Sequence, residues 1–179
     1  MINPLTPISA SATSSADATV PVDGALLRDA LGRFLTGVTI VTVAGMNQQL
    51  YGLTVNSFNS VSLSPPLVLW SLDKRNEKTS LFQKAAGFAV NIMSAAQIDL
   101  CERFSGDATD RFAGCGWTPG AFGQPLLDNA LVQMECRHWA QYDGGDHLIF
   151  VGEVMSVTKA DGAPLAFFKG QYGHYDHSA

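Results

Sequence analysis

With 179 residues, 46% of them apolar and only 15% charged, the chain can bury one substantial core and gives no reason to expect a second domain. Its net charge of −5 argues against nucleic acid or an anionic membrane as the main partner. No apolar run of about 18 residues is present to span a bilayer. Three cysteines (Cys101, Cys115, Cys136), odd in number and without C-x-x-C spacing, predict neither a disulfide framework nor a zinc or other metal site, and a cytoplasmic setting.

The opening MINPLTPISASATSSADATV has no Lys or Arg and no signal-peptide core, so neither a secretory nor a mitochondrial leader is expected. Its Ser/Ala/Thr/Pro composition suits a flexible arm over residues 1–22, with the folded domain over 23–179. Sparse charge together with 17 glycines points to a partly covered exterior, most simply through self-association.

Asp23 is the candidate N-cap of a first helix, whose apolar stripe is Leu26, Leu27, Ala30, Leu31 and Phe34. Val38 to Ala44, rich in β-branched residues, reads as a strand, and Leu50 to Val55 returns as its hairpin partner. A polar loop follows, then a third strand over Leu67 to Leu72, a helix from about Glu77, and a fourth strand, Gly87-Phe-Ala-Val-Asn-Ile-Met. Ser94 caps a second helix on which Ile98, Cys101 and Phe104 recur at helical spacing. Residues 105–130 read as loop. Two long strands, Leu131 to Tyr142 and His147 to Thr158, flank the turn Asp143-Gly-Gly-Asp146, and Pro164 to Phe168 leads into a final KGQYGHY. Antiparallel hairpins of this length favour a strongly coiled β-barrel with a few flanking helices.

No G-x-G-x-x-G follows a strand, and no P-loop, H-E-x-x-H, G-x-S-x-G or EF-hand pattern occurs, so a Rossmann nucleotide domain is not expected. Three features carry possible chemistry. The first is LTVNSFNSVSLSPP, with Thr54, Asn56, Ser57, Asn59, Ser60, Ser62 and Ser64 and hardly a charge. Such a stretch is either a connection held by Asx and Ser/Thr turns or a cradle that offers backbone N–H groups to a planar ligand, with Val55, Phe58 and Val61 as apolar wall. The second is a basic knot, Lys74, Arg75 and Lys78, interleaved with Ser71, Asn76, Thr79 and Ser80. It is either a solvated helical turn or a phosphate site. The third is His147, an exposed turn residue or a polar group beside a second ligand. His138 reads as a core or interface histidine. Trp70, Trp117 and Trp139 read as packing groups, and Cys115 has no identifiable neighbouring base.

Taken in order, Arg33-Phe-Leu-Thr-Gly-Val-Thr-Ile-Val-Thr42, Gly52-Leu-Thr-Val-Asn-Ser-Phe-Asn-Ser-Val-Ser62, Pro65-Pro-Leu-Val68, Phe88-Ala-Val-Asn91, Glu102-Arg-Phe104, Asp110-Arg-Phe-Ala-Gly114, Gly145-Asp-His147 and Gly170-Gln-Tyr172 resemble the short-chain flavin reductases, the small components of two-component flavin monooxygenases. The resemblance implies a mainly β, split antiparallel barrel that binds FMN or FAD, takes hydride from NADH or NADPH, assembles as a homodimer and supplies reduced flavin to a separate monooxygenase. It places Thr54, Val55, Asn56, Ser57, Phe58, Ser60 and Val61 around the isoalloxazine. Ser71, Lys74, Asn76, Thr79, Arg103 and Phe104 fall at the ribityl phosphate end. His147, with Tyr172, Gly173 and His174, falls at the nicotinamide. Glu77 departs from a purely basic phosphate segment, and the stop at Ala179 leads to the expectation that a tail covering the nicotinamide in longer relatives is lacking. Two other readings stay open: a flavin-carrying electron-transfer protein of the same fold, and an oligomeric binding module without flavin.

Overall fold

The computed structural model describes residues 22–45 and 49–175; the arm expected over 1–22 lies outside the described residues except for Val22. Helix α1 (Gly24–Gly32) opens at Asp23, whose carboxylate accepts from the Ala25 amide. A two-residue β1 (Thr36–Gly37) precedes the hairpin β2 (Thr39–Ala44) and β3 (Leu50–Val55), paired from Thr39↔Val55 to Ala44↔Leu50. After a bend at 56–58 come β4 (Asn59–Leu63) and β5 (Pro66–Asp73), a short α2 (Thr79–Lys84) and β6 (Gly87–Ile92). A 3₁₀ turn, Ala95–Gln97, leads into α3 (Ile98–Ser105); Ser94 and Gln97 form a reciprocal cap at its entry. Next are the small hairpin β7 (Trp117–Pro119) and β8 (Pro125–Leu127), the 13-residue β9 (Val132–Gly144) and β10 (His147–Lys159), then β11 (Leu165–Phe168) and β12 (Gln171–His174). Two readings from sequence are corrected here. The polar stretch is not all loop, because Asn59–Leu63 pairs with β5, and the 105–130 segment contains the β7–β8 hairpin.

The main sheet runs β3-β2-β6-β9-β10-β5-β4, with β1-β11-β12 and β7-β8 as separate small sheets. Its two outermost strands, β3 and β4, are consecutive in the chain and joined by residues 56–58 alone. Three residues reach roughly 10–14 Å, whereas the edges of a flat seven-stranded sheet would stand about 29 Å apart. The sheet must therefore curl until its edges meet at the bend. The result is a nearly closed barrel split beside β3.

Inside the barrel Trp70 stacks on Phe150 at 4.7 Å between ring centroids and meets Phe82 and Phe88 edge-on. Val41, Val43, Val68, Leu72, Val90 and Cys136 fill the rest of this core. A second core lies under α3, where Cys101 and Phe104 pack with Val38, Ile40, Met93 and Leu127. Burial pushes the Cys101 and Cys136 thiols up to about 12, so both are inert. The buried Asn91 joins strands to loop: its amide donates to Ile40 O and its carbonyl accepts from Leu127 N. By contrast α1 buries nothing among the described residues, and Leu26 and Phe34 of its stripe are 64% and 72% exposed.

Gly152 sits where the β9–β10 register shifts, and a Cβ there would come within 2.5 Å of the Phe88 ring. Gly152→Ala should therefore destabilise the protein by about 1–3 kcal/mol, read as a lower denaturation midpoint. His138 gives a second expectation. Its Nε2 lies 2.7 Å from the Phe82 carbonyl, its Nδ1 has no partner, and burial lowers its pKa despite that hydrogen bond. A histidine whose folded value is depressed contributes stability fully present above its unfolded value, about 6.5, and lost as pH falls through the folded value. Tm should drop on acidification from about pH 8 to 5, and His138→Gln should flatten that drop; identical profiles would contradict the assignment.

Candidate functional site

The bend between β3 and β4 is held by side chains, leaving its backbone unspent. Ser57 Oγ accepts from Ser71 N at 3.0 Å and donates to Ser71 O at 3.2 Å, so one hydroxyl occupies the place of a strand partner beside β5. Thr54 Oγ1 donates to Cys101 O at 2.7 Å, fastening the end of β3 to α3. Outside the strand ladders, the N–H groups of Asn56, Ser57 and Phe58 donate to no acceptor among the described residues. A small cavity of about 150 Å³ opens beside Asn56, walled by Val38, Thr54, Val55, Phe167 and Tyr172. Burial raises the Tyr172 phenol, opposed by its hydrogen bond with Ser105. Ser105 lines this cavity and also a larger one of about 530 Å³ along the 75–78 turn. Free backbone donors on a bend between apolar walls fit the imide edge and flat face of a flavin ring.

The basic knot and the histidine turn meet at one corner, because β10 pairs with β5 and sets His147 opposite Asp73. Lys74 N donates to Asp146 O, and Lys74 Nζ reaches Asp143 Oδ2 at 2.6 Å and the Gly145 carbonyl. Arg75 grips Asp73 through both Nε and Nη2, and this hydrogen-bonded guanidinium holds the Asp73 carboxyl well below the usual range. Thr79 Oγ1 donates to Asn76 O, and Asn76 Oδ1 accepts from Lys78 N, which shapes a compact turn. The six-residue α2 that follows has no side-chain cap. His147 Nδ1 lies 2.7 Å from Asp146 Oδ1, a bond that lowers the Asp146 carboxyl. Ser71 stands two residues before Asp73, roughly 7 Å along the strand, so bend, turn and histidine form one continuous edge.

Several residues singled out from sequence lie elsewhere. Phe104 is fully buried, packed edge-on against Phe112 beneath Gly52, so it supports β3 from below and does not line the cavity. Arg103 donates to Ala113 O and lines a depression with Cys115 and Asp128, not the cavity that Asn76 and Lys78 line. Ser60 and Val61 sit in β4 beyond the bend, at a register slip against β5. Gly173 and His174 are exposed on β12, next to Tyr172. Sequence reasoning assigned no role to Arg111. Its Nη1 donates to Tyr51 Oη and Gly52 O, its Nη2 donates to Gly106 O, and its guanidinium lies 4.8 Å from the Tyr51 ring centroid. It thereby clamps the 106–112 loop onto β3 and fixes one wall of the larger cavity. The Asp-Arg-Phe motif was the available signal.

A barrel split beside an edge strand, with a donor-rich bend at the split, is the arrangement of a flavin reductase-like domain, and that family matches residues 31–176. The chain belongs to the flavin reductase-like family. It is 43% identical over 148 residues to the FMN reductase (NADH) SmoA of Agrobacterium fabrum, covering 83% of this chain and 84% of that protein. It is 36% identical to the reductase subunit HsaB of a flavin-dependent monooxygenase from Rhodococcus jostii, over 84% and 77% of the two chains. Among solved structures, the Streptomyces globisporus NADH:FAD oxidoreductase SgcE6, in complex with NAD and FAD fragments, superposes with a TM-score of 0.84 at 37% identity, covering 92% of this chain and 99% of that one.

Removing the hydroxyl that staples the bend should matter more than removing its neighbour. Ser57→Ala should cost about 1–2 kcal/mol of stability and weaken flavin binding about tenfold in a fluorescence-quench titration, whereas Ser60→Ala should leave both unchanged. Equal behaviour of the two variants would show that the staple does not organise the site.

Proposed function

We propose that the protein is an NADH-dependent flavin reductase that reduces FMN or FAD and passes the reduced flavin to a separate monooxygenase. One observation carries the reading: the N–H groups of Asn56, Ser57 and Phe58, unpaired among the described residues, lie on the same edge as the Lys74–Thr79 turn and His147. The NADH-linked and monooxygenase-linked relatives support it.

Bound flavin would supply the hydride-accepting ring chemistry, so the protein's tasks are position and electrostatics. The bend amides would serve as donors to the imide edge of a bound flavin and favour negative charge there. Val38, Val55 and Phe167 exclude water from the ring face. Ser71, Asn76, Lys78 and Thr79 orient the phosphate end. Asp146 accepts from His147 Nδ1 and leaves Nε2 to orient the nicotinamide, with Tyr172 closing the other side. The site needs no nucleophile.

The working unit is a homodimer in the cytoplasm. Its supports are the α1 stripe, exposed and without a core among the described residues, and the free, buried thiols of Cys101 and Cys136. Leu31→Glu on that stripe should halve the mass measured by light scattering; an unchanged mass would place the dimer surface elsewhere.

Loss of NADH absorbance with free flavin tests the activity directly, and no turnover would favour an electron carrier fed by a protein donor. His147→Ala should reduce the turnover supported by limiting NADH at least tenfold while changing the flavin dissociation constant less than about twofold. Equal damage to both would remove His147 from the nicotinamide side.

A further inference from the structure

We propose that a cavity of about 590 Å³ between α2 and the 120–124 loop binds a small apolar carboxylate, best an aryl acid, and that its occupancy loosens the hold of the phosphate turn on flavin. The acid site stands on its own geometry; its effect on flavin rests on the flavin reading above. Small-molecule pockets span roughly 300–1,000 Å³, so the size is suitable. Ala44, Leu81, Ala85 and Phe122 supply apolar walls. Two glycines let those walls close on the sheet: a Cβ on Gly45 would stand 2.5 Å from Leu81 Cδ1, and one on Gly87 would stand 2.6 Å from the Phe122 ring. Phe122 is held from behind, because its N–H donates to the fully buried Gln124, whose Nε2 donates in turn to Glu135.

Around the apolar part stand four side chains able to donate: Gln49, Lys78, Ser80 and Lys84. None of them has a side-chain hydrogen bond or ion pair among the described residues, whereas Lys74 and Arg75 nearby are spent on Asp143 and Asp73. Glu77 is the one carboxylate in the described lining, set against two ammonium groups. A neutral ligand would leave both cations unanswered, and an inorganic anion would leave the apolar walls unused. A ligand with one anionic end and a flat apolar body uses both. Its carboxylate accepts charge-assisted hydrogen bonds from the lysines, and its ring lies against Phe122. Lys78 also lines the 530 Å³ cavity on the other side of the turn. Its N–H is fixed by Asn76 Oδ1 and its carbonyl accepts from Leu81 N, so the backbone stays in place while the ammonium can serve either side. An acid that draws this ammonium takes it from the flavin phosphate and sets a second negative charge nearby. Both effects oppose the phosphate, and flavin must weaken the acid by the same factor.

The test begins with calorimetric titration of the flavin-free protein with 2-naphthoate and with its neutral amide, 2-naphthamide. The acid should bind about tenfold or more tighter than the amide, and Lys84→Gln should weaken it about tenfold. Ser80→Trp, which fills the cavity from the exposed side of α2, should abolish binding. In fluorescence-quench titrations, saturating 2-naphthoate should raise the FMN dissociation constant about threefold or more. Riboflavin, which lacks the phosphate, should be unaffected, and Lys84→Gln should remove the effect on FMN. Absence of acid binding, equal affinity for acid and amide, or unchanged affinity in both variants would overturn the acid site. Acid binding without a shift for FMN, or with an equal shift for riboflavin, would overturn the coupling. Failure of FMN to bind at all would bring down the coupling together with the flavin reading, while the calorimetry would leave the acid site standing.

Discussion

One hydroxyl sets the geometry on which the site depends. Ser57 Oγ bonds to both the N–H and the C=O of Ser71, holding the bend between the barrel's edge strands against β5. Had the backbone of the bend made this contact, its N–H groups would have been consumed by the ladder. A side chain makes it instead, so closing the barrel and keeping free donors at the seam are the same event. Thr54 repeats the device on the other side through Cys101 O. This is why the stretch is rich in serine, threonine and asparagine and nearly free of charge: short polar groups can satisfy a neighbour's backbone while their own amides stay available.

The barrel itself was legible in the sequence where packing follows period. The β2–β3 hairpin and the long β9–β10 pair show β-branched and alternating residues with a glycine turn between the long strands, and both stand where the pattern puts them. Strand β4 was not legible because it is an edge strand of Asn, Ser and Val whose partner, β5, supplies the pattern. The β7–β8 hairpin was hidden because glycine and proline dominate its segment and its anchor, Asn91, lies far away in the chain. For α1 the sequence placed the stripe, yet periodicity cannot say whether the surface that covers a stripe belongs to the same molecule.

The site was legible in part for a similar reason. Motifs gathered the bend, the turn and His147, and the antiparallel pairing of β10 with β5 puts them on one edge. They also put Arg103 and Phe104 together as neighbours, although consecutive helical residues point to different faces: Phe104 turns into the core, and Arg103 reaches the 113–115 loop. Arg111 escaped notice because its role is made of carbonyls and a ring contributed by β3 and residue 106, and such through-space partners leave no mark in spacing.

The ion pairs of the turn bear on how a ligand leaves. Lys74 and Arg75 already hold carboxylates at the protein's edge, so on the proposed reading a phosphate held by Ser71, Asn76, Lys78 and Thr79 would compete with aspartates for these two cations instead of meeting them bare. Arrival and departure would then both be displacements with small net gain, with the resident aspartates ready to retake their partners. A grip of that kind is easy to open. It suits a molecule whose product is of use only after it has been let go.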